Sequence, residues 1–375
     1  MGINSVLKKE GIEEIELLDT LTVNKIAKRI SSKLATTFAE HDLTESSLFI
    51  EISRLKMYTA KMPNDLSGAK YVWLNQAIYF RKGANFDEIE EFATHECLHY
   101  LQELKDKNGN VLRLGLYNFA EGGTKGMAIN EAAVQTMAGR ANKSKTDKVK
   151  YYDISLETIS PDYYPLECAL LSQLTYFTGT YPLYHSTLYS DEIFKDTVNN
   201  KLGKKAYKNI RDALDILMQK ETNLSILTTE LHELTNNRKI KKIDKEIEKY
   251  KFEIADLFLK IQNYIIKNGF EKEFETVKNI DDLQYFKDRL YKFKDLIGYT
   301  EGYNFYNEFY IQTMSEFEKK KEFIEQYGEI IDGNMEKTKL ALTVTEPKMS
   351  LIRRIMAKIG IIAKDEYNYV NENQK

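Results

Sequence analysis

The chain has 375 residues, with 54 lysines and arginines against 57 aspartates and glutamates and a formal net charge of −3. That length allows a large core and two domains, and the near balance of charge leaves no basic footprint for a nucleic-acid partner. Two cysteines, Cys97 and Cys168, are too few for a disulfide framework and fit a reducing compartment.

The opening stretch, MGINSVLKKEGIEEIELLDTLTV, has no apolar core of secretory length and carries acidic residues early. Its Gly2 and Ser5 meet only part of a myristoylation pattern, which carries no weight. No apolar run is long enough to span a membrane, so a cytoplasmic location is expected.

Residues 22–40 read as an amphipathic helix with Ile26, Ile30, Leu34 and Phe38 on one stripe. Residues 47–60 alternate through Leu48, Ile50 and Ile52 and read as a strand. Pro63-Asn64-Asp65 and Ser67-Gly68 mark a turn. Residues 69–81 read as a second strand, or as a tight hairpin about Asn75-Gln76. An exposed strand edge here would hold an extended peptide by backbone hydrogen bonds, whereas an ordinary sheet edge would do nothing further.

Asn85 to Asp106 reads as a half-buried helix. Asn85 can cap it with Glu88 completing a capping box, and Asp87, Glu88, Glu90 and Glu91 suit the dipole of its first turns. Phe86, Ile89, Phe92, Ala93, Cys97, Leu101 and Leu104 recur at helical spacing, and Asn108-Gly109-Asn110 supplies a stop. The helix carries His95-Glu96-Cys97-Leu98-His99, an H-E-x-x-H. Histidines four apart project from one face and can share one zinc ion, while Glu96 stands where a carboxylate reaches a water on the metal. The bland alternative is a solvated helix face. Cys97, between the histidines, reads as buried packing.

Catalytic zinc usually has three protein ligands. Glu131 is the best candidate for the third, on a helix that follows the flexible Glu121-Gly122-Gly123. Ala128, Ala132, Ala133 and Ala138 would let this helix approach the first closely. A glutamate buried there is costly unless a cation pairs with it, and the alternative is a glutamate facing solvent. His185, Glu121 and Glu167 are rival ligands.

Asn142 to Lys150 reads as a basic solvated loop. Ser160-Pro161 and Pro165 open a helix from Leu166 to Phe177, stopped at Gly179. The stretch Thr180 to His185 is aromatic and irregular, and His185, Tyr181 or Tyr184 could donate to an oxyanion or simply pack.

From about residue 205 the chain turns helical and polar. Ile240, Ile243, Ile247, Tyr250, Ile254, Leu257, Ile261 and Tyr264 step as a heptad seam, and Ile210, Leu214, Leu217, Leu224 and Leu231 make a looser one. With Asn236-Asn237 between them and Gly269 at the end, residues 206–268 read as an antiparallel helical hairpin, packed on itself or offered to a helical partner or a dimer. His232 lies alone on it and reads as exposed. Further helices are expected at 280–297 and 304–328. The basic amphipathic stretch 348–364 reads as a closing helix of the core rather than a membrane contact.

The combination of His95-Glu96-x-x-His99 with Asn130-Glu131-Ala-Ala on a later small-residue helix resembles the zincin metallopeptidases, in their gluzincin branch. The resemblance covers roughly residues 45–200. No N-E-x-x-S-D follows, and the spacing to Glu131 is longer than in the thermolysin-like pattern. The resemblance implies hydrolysis of peptide bonds in a peptide or protein substrate, with His95, His99 and Glu131 on zinc and Glu96 as general base. The expected fold is α+β: a small antiparallel sheet packed on the motif helix within a catalytic domain at 1–203, then a mostly α-helical domain at 204–375. The competing reading is a metal-stabilised, non-catalytic first half that carries a helical docking module.

Overall fold

A computed structural model of the protein describes residues 3–63, 68–86, 89–119, 125–301 and 305–328. Glu88, Glu121, the connection at 121–123, most of the turn at 63–68 and the stretch at 348–364 lie outside them. The fold is α+β, with small sheets early and helices dominating the later chain. Backbone contacts divide it into two units. One comprises Met1–Thr146, Asp162–Tyr164 and Leu183–Glu192; the other comprises Asp147–Pro161, Pro165–Pro182 and Ile193–Lys375. The boundary expected at residue 203 falls inside the second unit.

The first unit opens with α1 (Ile3–Lys9), β1 (Glu13–Leu17), α2 (Thr20–Thr37) and α3 (Glu45–Ser53). Asp19 caps α2 by accepting the Thr22 N–H at 2.9 Å, and the stripe Ile26, Ile30, Leu34 and Phe38 is fully buried. The strand expected at 47–60 is a helix over its first half. Thr44 caps α3 through the Ser47 N–H, and Leu48 and Ile52, four apart, are buried on one face. Ile50, which completed the apparent alternation, is exposed.

Then come β2 (Lys56–Lys61), β3 (Ala69–Val72) and β4 (Ala77–Arg81), in the order β1-β2-β4-β3. The β3–β4 hairpin turns at Asn75-Gln76, as one expected reading has it. β2 and β4 run parallel, so this sheet is mixed rather than purely antiparallel. Leu7, Ile12, Ala60, Met62, Val72, Ala77 and Tyr79 form one of the unit's apolar clusters.

The motif helix, α4, spans Glu90–Leu101 and is shorter than expected. Ile89 occupies its N-cap without a side-chain bond, so Asn85 is not the cap. Its far end gives way to β5 (Glu103–Lys105), which pairs with β6 (Val111–Leu114), and β6 pairs with β7 (Tyr117–Asn118). Asn108-Gly109-Asn110 therefore makes a strand turn, in which the Asp106 carboxylate accepts the N–H groups of Asn108 and Asn110 at 2.8 Å each. Residues 93–99 of α4 are buried without a break, so it is a central helix rather than a half-buried one. α5 (Met127–Ala141) packs beside it, with Ala128, Ala132, Ala133 and Ala138 fully buried.

Of the expected basic loop at 142–150, residues 147–150 instead lie in β8 (Asp147–Tyr151), which opens the second unit and pairs with β9 (Ile154–Thr158). Tyr152 and Asp153 have φ of 49° and 64°, the left-handed pair that a tight hairpin turn requires. Lys148 pairs with Glu157 across the strands. α6 (Pro165–Thr178) follows as expected. The stretch at 180–185, expected to be irregular, opens α7 (Tyr181–Tyr189) instead, whose residues from Leu183 on belong to the first unit. Pro182 sits in its first turn, where a missing N–H costs nothing.

After α8 (Ile193–Leu202), α9 (Ala206–Glu233) and α10 (Asn237–Thr276) form the expected hairpin. Ile210, Leu214, Leu217 and Leu224 on α9 and Ile243, Ile247, Ile254, Leu257 and Ile261 on α10 are buried, and Lys220 meets Glu253 at 2.9 Å. α10 does not end at Gly269. The glycine instead makes room for Phe177, whose ring would lie 2.6 Å from a Cβ there. Phe270 and Phe293 hold that ring at centroid distances of 5.0 and 5.5 Å. Gly269→Ala should therefore lose about 1 kcal/mol in urea unfolding, because overpacking of about 1–3 kcal/mol outweighs the gain of about 1 in helix propensity. A more stable variant would show that the ring has room to move. α11 (Ile280–Phe293) and α12 (Phe305–Tyr327) complete the described chain. Among the described residues no helix is long and apolar enough to cross a membrane.

Candidate metal centre

The packing of α4 on α5 brings His95, His99 and Glu131 together. The two Nε2 atoms lie 3.0 Å apart, and Glu131 Oε2 is 3.3 Å from His95 Nε2 and 3.4 Å from His99 Nε2. Among the described residues this is the one group of three His, Cys, Asp or Glu side chains whose ligand atoms converge closely enough to hold a metal ion. Both histidines are about nine-tenths buried.

The surroundings fit a divalent cation. His95 Nδ1 lies 2.8 Å from Gln135 Oε1, and a proton on Nδ1 donated to that oxygen would leave Nε2 with its lone pair for a cation at the centre. The Gln102 amide lies 2.9 Å from His99 Nδ1, and its Oε1 is buried without a hydrogen-bond partner. An amide can present either end to a ring. Turned with the oxygen toward Nδ1–H, it would satisfy that orphaned oxygen and free His99 Nε2 in the same way. Burial drives the Glu131 carboxyl up, but His99 and His95 outweigh it and hold the group well below the usual carboxylate range. The third donor is therefore an anion, and two imidazoles with one carboxylate suit zinc.

Glu96 follows the first histidine and accepts the Tyr71 backbone N–H at 2.6 Å. Burial pushes its carboxyl up to about 7, against the pull of His95 and of that N–H. β3 is the edge of its sheet, and this N–H is turned outward from the sheet toward α4. Burial raises the Cys97 thiol, which leaves it a packing group.

The other candidates lie elsewhere. His185 Nδ1 is 2.8 Å from Asp191 Oδ2, and its ring is 5.9 Å from His41. Tyr184 is buried edge-on to Phe38, and Tyr181 is exposed at the start of α7. Glu167 belongs to the second unit. None of them joins the His95, His99 and Glu131 group. Sequence reasoning missed Gln102, Gln135 and Tyr71. The two glutamines had a signal: Gln135 is four residues after Glu131 and Gln102 three after His99, each on its ligand's helix face. Tyr71 acts through its backbone and had none.

Comparison of the chain with known protein families, with curated proteins and with solved structures returns no match.

Proposed function

We propose that the protein is a zinc-dependent peptidase, of the zincin type and its gluzincin branch, acting on a peptide or protein substrate. The reading rests on one observation: two helices converge His95 Nε2, His99 Nε2 and Glu131 Oε2 while Glu96 stands beside them. His95, His99 and Glu131 would hold the zinc. When bound there, zinc supplies Lewis acidity, polarising a carbonyl and lowering the pKa of a water towards about 7. Glu96 takes the proton of the attacking water on its carboxylate and returns it to the departing amine. The edge of β3 is closed to strand addition at this point, because the buried Tyr71 N–H is already taken by the Glu96 carboxylate. The two buried thiols suit a reducing compartment, and we place the reaction in the cytoplasm.

Elemental mass spectrometry of the purified protein tests the reading. About one zinc per chain is expected, lost or much reduced in Glu131→Ala, since removing one of three ligands undoes the site. Zinc undiminished in that variant would remove Glu131 from the ligand set. No zinc in the wild type, even after reconstitution, would overturn the reading.

A further inference from the structure

Beyond its candidate ligands, the first unit holds a buried polar clasp that no step of the proposed chemistry uses. Ser190, the residue after α7, donates its hydroxyl to the Gln102 carbonyl oxygen at 2.6 Å. The same hydroxyl accepts the Gly115 N–H at 2.7 Å, and that N–H also reaches the Gln102 carbonyl at 3.3 Å. Gln102 is the residue whose side-chain amide meets His99 Nδ1. Next to Gly115, the Leu116 N–H donates to Asn130 Oδ1 at 3.0 Å, and Asn130 immediately precedes Glu131. Ser190, Gln102 and Asn130 are each at most 4% exposed. Gly115 has φ of 56°, and a Cβ there would fall 2.5 Å from Asn130 Oδ1 and 2.6 Å from Gln102 Oε1. The clasp is thus drawn in to the distance that only glycine permits.

We propose that Ser190 is a positioning residue of the metal centre, acting through Gln102 to orient His99. The inference rests on the metal-centre reading. Its physical basis is general: a metal-bound imidazole needs a partner on its other nitrogen to hold the tautomer and the ring plane, and that partner must itself be held. Gln102 lies at the C-terminal end of α4, where backbone is free to fray. Ser190 ties that backbone from another segment of the chain, so the amide meets His99 from a fixed origin.

The test measures zinc affinity by competition with a chromophoric chelator, together with the thermal midpoint of each apo-protein. Ser190→Gly is the informative variant. Ser190 itself has φ of 54°, which glycine adopts freely, so the hydroxyl is removed without backbone strain. Gln102→Leu should weaken zinc binding by about 10–100-fold, the usual effect of losing an outer-shell partner. Gln102→Glu should bind at least as tightly as wild type, because a carboxylate also accepts Nδ1–H. Ser190→Gly should weaken binding in the wild-type background but add no loss in the Gln102→Leu background, since its effect passes through the missing amide. Additive losses, or unchanged affinity in Ser190→Gly, would overturn the inference and leave the metal centre standing. Failure of the wild type to take up zinc would sink both.

Discussion

Glu96→Gln is expected to keep the metal and lose the reaction. The two side chains have nearly the same shape, and an amide oxygen can still accept the Tyr71 N–H that Glu96 accepts at 2.6 Å. The ligand atoms of His95, His99 and Glu131 are untouched, so zinc content by elemental mass spectrometry should match wild type. What the amide cannot do is take a proton and give it back. Hydrolysis of a quenched-fluorescent peptide library should fall by about 10²–10⁴-fold, the range that positioned proton transfer contributes. Turnover that survived in a zinc-loaded variant would remove Glu96 from the role of general base. Loss of zinc would mean instead that the carboxylate helps hold the cation.

The convergence of His95, His99 and Glu131 was legible because both halves of it are short-range patterns. His95 and His99 share a face by spacing alone, and the alanines around Glu131 announce a helix that packs closely. The sheet hairpin at Asn75-Gln76 and the long α9–α10 pair were legible for similar reasons. The errors came where two local signals competed. Leu48, Ile50 and Ile52 alternate like a strand, yet the Thr44 cap and the i, i+4 pair Leu48 and Ile52 make a helix. Asn85 has the chemistry of a cap, but α4 begins at Glu90. Gly269 looks like a stop and is a packing notch for Phe177, a partner 92 residues earlier in the chain. His185 looked available to a metal, and Asp191 six residues on takes it. The Ser190 clasp depends on four segments meeting, at Gln102, Gly115-Leu116, Asn130 and Ser190, and left no trace in the pattern of residues.

Stability should fall as pH rises above the ordinary carboxylate range, because the second unit sets a half-buried glutamate beside a fully buried one. Glu167 on α6 is fully buried, and burial pushes its carboxyl up. Glu221 on α9 is raised further, first by burial and then by the negative charge of Glu167. The Tyr152 hydroxyl, from the β8–β9 turn, pulls Glu221 the other way without cancelling the shift. Two neighbouring carboxylates, one of them fully buried, do not both ionise cheaply, so the folded pair should keep a proton that the unfolded chain releases. The sign follows from that count. The folded state binds more protons, so the contribution is fully present below the unfolded carboxyl value and is lost as pH rises through the folded value. While one extra proton is retained, the slope is about 1.4 kcal/mol per pH unit. Glu221→Gln keeps a donor toward Glu167 without needing a proton, so urea unfolding between pH 5 and 8 should show this component of the slope gone and the variant more stable than wild type at the upper end. Parallel stability curves for the two proteins would mean that the pair ionises in the fold as it does in the unfolded chain.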